Sequence, residues 1–557
     1  MDWGYCFKWV ATVIIGLLGA NWLFNTFYLD MKRDFTSVAL NQQSNIASVR
    51  KENETAYYRN FLVPLGFPLI TGLGLSLKYK IRNGNFGDVW KAIMELSKTN
   101  SIEFTNDSTH LSLAKINGMA QHLQETLLSK GVGSVGIVVS PSSLEGFVIS
   151  IASMIGSVKS SCKPHFLSSV PRERLEGLDV LVIDSWNSFR MLNGSDRWYK
   201  LVIVCASLET EQVPENVKSW QEIIIGHQEN ERFDYDPPED NSDDSKVFAY
   251  TTSPYNVTTS FTQGCLVSGI ASFVQGFPAG HELSEKDTLT VSERLGKSGL
   301  AFHFWHKALA VLLHGGSLSF QDRKSLTLSA LNNTTLLFIE PDELLSILKE
   351  IDIKKSSILS RIGFALATAL LSEGVFTNIG QCSSRSFDRL RCVFLAELIR
   401  DTQLIASFPK KIPEMKQQSL LKSFTTETLN FMRAHLGARV MVELYCPFIV
   451  MGPVCQTNFY DYRVLPASVD SKFICCGPLA TSLEGKMVRT EQNPELDITK
   501  RQGMLCIRGF TIGKPVEPNR LERAMALSDD FGGGEGWMPL VGVFGLWGQD
   551  GCLYIYK

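Results

Sequence analysis

The sequence predicts an α/β body behind one apolar N-terminal helix, and three observations predict it. Residues 9–29 (WVATVIIGLLGANWLFNTFYL) run 21 residues without a charge. From residue 83 onward, short apolar runs at 135–139, 180–183 and 201–204 alternate with helical patterns such as 144–155, as in a parallel sheet buried on both faces. A hydrophobic share of 44% with 20% charge over 557 residues supplies a core for about two to four packed units.

At ~1.5 Å per residue, the first run reaches about 31 Å as a helix, one hydrocarbon thickness. Trp9, Trp22, Phe27 and Tyr28 near its ends fit an interfacial belt. It is long for the core of a cleaved signal peptide and no A-x-A-like site follows, so residues 1–30 are expected to form a retained transmembrane anchor. Lys32, Arg33, Arg50, Lys51 and Arg59 follow it against the single Lys8 before it, which favours a cytosolic body. A second uncharged run, residues 61–77 (FLVPLGFPLITGLGLSL), is broken by Pro64, Gly66, Pro68, Gly72 and Gly74 and followed by Lys78, Lys80 and Arg82. Within a juxtamembrane region of residues 31–82, it is expected to lie in the interface, re-enter the membrane or pack as an apolar arm of the body.

The body is expected over residues 83–465. Residues 86–98 read as an amphipathic helix, and residues 110–130 as a longer one after the polar Thr105-Asn106-Asp107-Ser108 cluster. The acidic stretch 234–244 (DYDPPEDNSDD) reads as a solvated linker and residues 409–416 as a surface loop. A net charge of -3 supplies no basic field, which argues against a nucleic-acid partner. The 12 cysteines include one adjacent pair, Cys475-Cys476, but no CxxC and no Cys/His cluster at zinc spacing, so they read as reduced thiols without a metal. Residues 131–136 (GVGSVG) match GxGxxG but follow a helix and precede a strand, the reverse of a dinucleotide fingerprint. Gly296-Lys297-Ser298 ends like a Walker motif, yet Val291 stands where its first glycine belongs. His303 and His306 lack a carboxylate or cysteine neighbour in sequence and read as a helix-surface or core pair; the absence of GxSxG removes support for a serine hydrolase.

Three blocks, in order, carry a family resemblance. Residues 247–261 (VFAYTTSPYNVTTSF) stand like Y-T-S-G-T-T-G-x-P-K-G, and residues 436–452 (LGARVMVELYCPFIVMG) like L-G-x-x-V-x-E-x-Y-G-x-T-E. Residues 503–513 (GMLCIRGFTIG), Gly536-Trp537 and residues 550–555 (DGCLYI) stand like G-E-L-x-I-R-G, G-W-x-x-T-G-D and D-G-x-L-x-I, and residues 313–316 (LHGG) lie between the first two blocks. The chain resembles the adenylate-forming superfamily, in particular its membrane-associated long- and very-long-chain fatty acyl-CoA synthetases and fatty-acid-transport-protein-like members. The resemblance implies an α/β large domain of two α/β subdomains plus a distorted β-barrel. Residues 466–557 are expected to be its β-rich subdomain. It also implies that the family's small C-terminal domain, with its catalytic lysine, is absent after Lys557.

Against that pattern the chemistry is erased. A phosphate loop needs glycines that let N–H groups approach the phosphates, and a lysine. The family's glycines fall on Ser253 and Asn256, its lysine falls on Thr259, and Pro254 removes an N–H. Tyr445 matches the adenine-stacking tyrosine, but Cys446, Phe448 and Ile449 replace glycine, threonine and the magnesium-binding glutamate. The ribose-binding aspartate falls on Gly542, beside Leu540 and Val541, and the substrate segment falls near residues 297–300, which share none of it. What remains of a nucleotide pocket is expected at Tyr250, Thr251, Thr252, Thr258 and Tyr445, with no catalytic residue, no metal and weak or no ATP/Mg binding. The resulting expectation is a pseudoenzyme on an endoplasmic-reticulum or lipid-droplet-related membrane that contacts membrane lipid. It would bind a fatty acid, an acyl-CoA or a protein partner at the place of the missing domain. A divergent active ligase and an assembly subunit of a membrane complex are the competing readings.

Overall fold

The computed structural model describes residues 3–77, 80–96, 100–104, 109–207, 213–292, 302–321, 331–350, 358–380, 388–399, 402–415 and 424–557. Lys78, the Thr105-Asn106-Asp107-Ser108 cluster, Gly296-Lys297-Ser298 and the segment 297–300 lie outside the described residues.

Two sheets of eight strands each carry the α/β part. In the first, Val217–Ser219, Leu201–Val204, Val180–Ile183, Ser134–Ile137, Lys163–Leu167 and Val247–Thr252 run parallel, and Thr258–Thr262 and Lys514–Pro515 close the edge antiparallel. In the second, Arg439–Tyr445, Cys392–Leu398, Leu336–Ile339, Thr288–Ser292, Ser317–Gln321 and Ser101–Phe104 run parallel between antiparallel edges. Strands such as Leu201–Val204 are buried at every position, which is why their sequences are continuously apolar. Helices Phe86–Leu96, Leu144–Lys159, Gln263–Gln275 and Trp305–Leu313 fill the space between the sheets. Some carry side-chain caps at their N-termini. Ser143 and Thr262, for example, accept from the third N–H of the helices they cap.

The expected helix over 110–130 starts later, at Leu113, because Thr109–Ser112 pairs with Ser101–Phe104 and Ser112 caps Leu113–Ser129. The stretch 234–244 is tied down rather than solvated throughout: Asn85 donates to Tyr235 and Asp243, and Arg82 to the Asp240 carbonyl.

A third sheet of seven antiparallel strands corresponds to the β-rich subdomain, but it recruits chain from the other end. Ser44–Ile46 and Tyr58–Asn60 form its edge against Leu483–Val488, so the region 31–82 is not a free juxtamembrane stretch. Tyr58 stacks on Trp547 at 4.3 Å, and burying these apolar rings favours that addition. Residues 61–74 form no helix. They run over the body, with Val63 and Leu69 buried, and the Ile70 carbonyl accepts from Ser268 while its N–H donates to Thr481. The run thus packs in part as an apolar arm of the body, while Phe61, Leu62 and Phe67 stay exposed.

Among the described residues one helix, Phe7–Lys32, is long and apolar enough to cross a membrane, and none of its apolar window is buried against the body. At its base, Arg33 donates to the Glu373 carbonyl, Asp34 accepts from Arg439 and Tyr462, and Phe35 stacks on Tyr460 at 5.4 Å.

Candidate functional site

Tyr250, Thr251, Thr252 and Thr258 come together on the hairpin formed by Val247–Thr252 and Thr258–Thr262. Thr252 and Thr258 are 4% and 8% exposed, and their hydroxyls lie 2.8 Å apart. His165, from the neighbouring strand, sets its Nε2 2.6 Å from the Thr252 hydroxyl. Burial lowers its pKa from 6.5 to about 4, against a smaller opposing pull from Glu517. The imidazole is therefore neutral at pH 7. Thr251 Oγ1 is buried and has no partner among the described residues, and Tyr250 keeps an intermediate exposure beside the His165 ring.

The turn between the strands decides what this hairpin can hold. A phosphate cradle requires free N–H groups pointing at one place. Here Ser253 N donates to the Val257 carbonyl, Asn256 N to the Ser253 carbonyl, and Tyr255 N and Val257 N to Ser253 Oγ. Pro254 has no N–H. The remaining donor, Thr258 N, is held at 2.7 Å by the Glu517 carboxylate, so a side chain of the protein stands where an anion would be received. Arg520 fixes that arrangement: it pairs with Glu517 and donates to the Thr258 and Ala406 carbonyls and to the Thr259 hydroxyl, while 5% exposed.

Residues 511–517 form a strap across this region. At one end, Met451 N donates to the Thr511 carbonyl and Gly513 N to the Ile449 carbonyl. At the other, Thr259 and Ser260 pair with Pro515 and Lys514. A β-carbon at Gly513 would lie 2.5 Å from a Thr259 methyl, so this glycine is what allows the strap to approach.

Tyr445 is not brought to the hairpin's surface. It is completely buried, and its hydroxyl donates to Glu443 Oε2 at 2.7 Å. Glu443 Oε1 meets Lys307 Nζ at 2.5 Å, both side chains being 0% exposed. The ammonium lies 4.2 Å from the ring centres of both Phe273 and Phe394. Burial lowers the Lys307 pKa and Glu443 opposes that shift. The expectation that Tyr445 lines a remnant pocket is thus corrected: the ion pair and its aromatic walls hold the phenol in the core. Cys446, Phe448 and Ile449 are buried with it, as are Leu540 and Val541 at the former ribose position. Phe448 holds φ of 64°, a conformation unfavourable for a bulky side chain; it keeps the tight turn where the resemblance implies a small polar loop. His303 and His306 are buried, as a core pair would be, and His303 accepts from Gly452 N.

His165, Glu517, Arg520, Lys307 and Glu443 were not singled out from sequence. Lys307 and Glu443 did carry a signal, each being the lone charge in a buried apolar run, HFWHKALAVLL and VMVELY.

No family model matches the chain. Along its whole length it is 55% identical to the uncharacterized protein YHR045W of Saccharomyces cerevisiae, with all of both chains covered. The chain belongs to the YHR045W family. Among solved structures, the fold of this YHR045W-family chain is similar to the luciferase-like enzyme of the mealworm Zophobas morio, with a TM-score of 0.56 at 12% identity over 87% of this chain and 99% of that one. It is similar to apo MatB of Rhodopseudomonas palustris (TM-score 0.55, 14% identity, 85% and 78% covered). The N-terminal domain of FACL13 from Mycobacterium tuberculosis is covered completely by 85% of this chain, with a TM-score of 0.51 at 12% identity. These likenesses establish the fold of the adenylate-forming large domain.

Proposed function

We propose that this YHR045W-family chain is a membrane-anchored binding protein in lipid metabolism, built on an acid-activating frame but not activating acids itself. The observation that carries the proposal is the closed hairpin turn, in which every N–H from Ser253 to Thr258 is already bonded within the protein and Glu517 holds the last. The Thr258–Glu517 bond is charge-assisted, a kind that contributes roughly 1.5 to 3 kcal/mol, so a phosphate would have to displace it and meet a carboxylate's charge.

The exposed apolar helix supports a retained anchor, and the cations after it support a cytosolic body. An endoplasmic-reticulum or lipid-droplet-related membrane is the placement that the resemblance supports. The test is calorimetric titration of the full chain in detergent with Mg-ATP. The expected result is no binding below millimolar concentration. Micromolar, magnesium-dependent binding would overturn the reading and make a divergent acid-activating ligase the better one.

A further inference from the structure

The cavity that matters lies away from the nucleotide site. It encloses about 540 Å³ where the anchor's base, the apolar arm, the end of helix Gln263–Gln275 and the third sheet meet. Phe61, Leu62, Phe277 and Leu479 supply apolar walls, and Gln43, Asn60, Gln275, Gln456 and Thr481 supply polar groups. Among the described residues, no Asp, Glu, Lys, Arg or His lines it. Its size is that of small-molecule sites, which combine apolar walls with a few polar groups that fix orientation.

We infer that this cavity binds an uncharged, single-chain lipid of the monoacylglycerol class, taken from the leaflet in which the N-terminal helix sits. It rests on the membrane anchoring proposed above.

Three observations support the assignment. Phe35, on the cavity wall, lies three residues beyond Lys32, the end of the apolar helix, a reach of at most about 10 Å. The mouth therefore sits at the depth where that helix leaves the bilayer. Around it, Val38, Phe61, Leu62 and Phe67 are 76%, 53%, 53% and 65% exposed. Helix Ile358–Ser372, which meets the anchor through its C-terminal end, leaves Ile358, Leu359 and Ile362 at 75%, 81% and 60%. Leu370 of that helix is buried with Leu29 of the anchor. Apolar side chains in such numbers mark a surface that meets another apolar phase, and here they flank one helix base.

The second observation is charge. A carboxylate or phosphate placed in the cavity would lose water without meeting a cation among the lining residues, which is strongly unfavourable. The uncharged amides of the wall, Gln42 and Gln275 among them, instead suit an ester or alcohol headgroup. Volume is the third. At ~30 Å³ for each water-sized group, the space holds about eighteen, room for a glycerol head with about ten carbons of one chain, the rest of a longer chain lying at the mouth, but not for a two-chain phospholipid.

The test uses the full chain in phosphatidylcholine nanodiscs and a monoacylglycerol with a diazirine in its acyl chain. Labelling is expected in peptides containing residues 35–43, 60–62 or 275–279. Excess unlabelled monoacylglycerol should abolish it, whereas palmitate or palmitoyl-CoA should not. Ala279→Trp, at an exposed position on the wall, should reduce labelling at least tenfold without changing the unfolding midpoint. Labelling elsewhere, insensitivity to Ala279→Trp, or equal competition by palmitate would overturn the assignment. Carbonate extraction of the same chain from microsomes separates the two readings. Retention in the pellet without cavity labelling overturns the lipid site alone, and release into the supernatant overturns the anchoring.

Discussion

Replacing Lys307 by Met tests what holds Tyr445 in the core. Lys307 and Glu443 are both 0% exposed at 2.5 Å, and Glu443 has Tyr445 on its other oxygen. Lys307→Met keeps the packing volume against Phe273 and Phe394 but strands the carboxylate with one hydrogen bond. Breaking a buried ion pair by removing one partner costs about 3–5 kcal/mol. With a urea slope of ~3 kcal/mol/M, suitable for a large domain, the unfolding midpoint should fall by roughly 1–2 M. Glu443→Gln alone leaves the ammonium over its aromatic walls, where cation–π attraction of about 2 kcal/mol compensates in part, so its loss should be smaller. The double variant Lys307→Met/Glu443→Gln removes both charges and keeps an acceptor for Tyr445. It should lose only about 1–2 kcal/mol, giving a coupling of at least ~2 kcal/mol between the sites. Urea unfolding of the full chain in detergent, followed by tryptophan fluorescence, reads all four proteins. A double variant as unstable as the sum of the singles would refute the reasoning.

The strap makes a second prediction. Arg520→Leu leaves the Thr258 and Ala406 carbonyls without their donor and should cost roughly 3–5 kcal/mol. Arg520→Lys should not restore it, because an ammonium cannot reproduce the guanidinium fork; a midpoint equal to that of the parent in either variant would contradict this account. Acid should destabilise the protein. His165 and His303 have folded pKa values lowered by burial from 6.5 to about 4 and about 3. The unfolded chain therefore takes up protons first as pH falls below about 6.5, and stability present above that value is lost toward pH 4. The slope is up to ~1.4 kcal/mol per pH unit for each histidine, and urea midpoints at pH 7.5 and 5.5 that are equal, or reversed in order, would contradict it. A cytosolic body also leaves the exposed sequons at Asn53, Asn193, Asn256, Asn332 and Asn333 unmodified. Endoglycosidase treatment of the chain from cells should not change its mass, and a shift would place the body in the lumen.

Much of the frame was legible because local chemistry states it. Four-residue apolar runs such as VLVI at 180–183 announced buried parallel strands, and the uncharged run at 9–29 announced an exposed helix. The loop's departure from the glycine-rich pattern was legible too, at Ser253, Pro254 and Asn256. The occupant of that loop was not: Glu517 lies 259 residues from Thr258, and nothing near either residue indicates the other. Tyr445 was misplaced for the same reason. Its motif position suggests a stacking surface, whereas the cation that turns it inward comes from a helix 136 residues before Glu443. Residues 44–60 were assigned to a juxtamembrane region because their short strands carry little periodicity, and only pairing with residues 484–485 makes them sheet.

By itself the sequence determined which segments are apolar, with what period, and which positions depart from the nucleotide-binding pattern it resembles. These follow from burial and backbone preference, which act over a few residues. Tertiary structure decided where the charges meet, that the hairpin's N–H groups are occupied, and that the anchor's base, the arm and the third sheet enclose a cavity without charge. Those outcomes depend on distances between residues hundreds of positions apart, and hydrogen bonds and ion pairs act only where the fold brings their partners within about 3 Å.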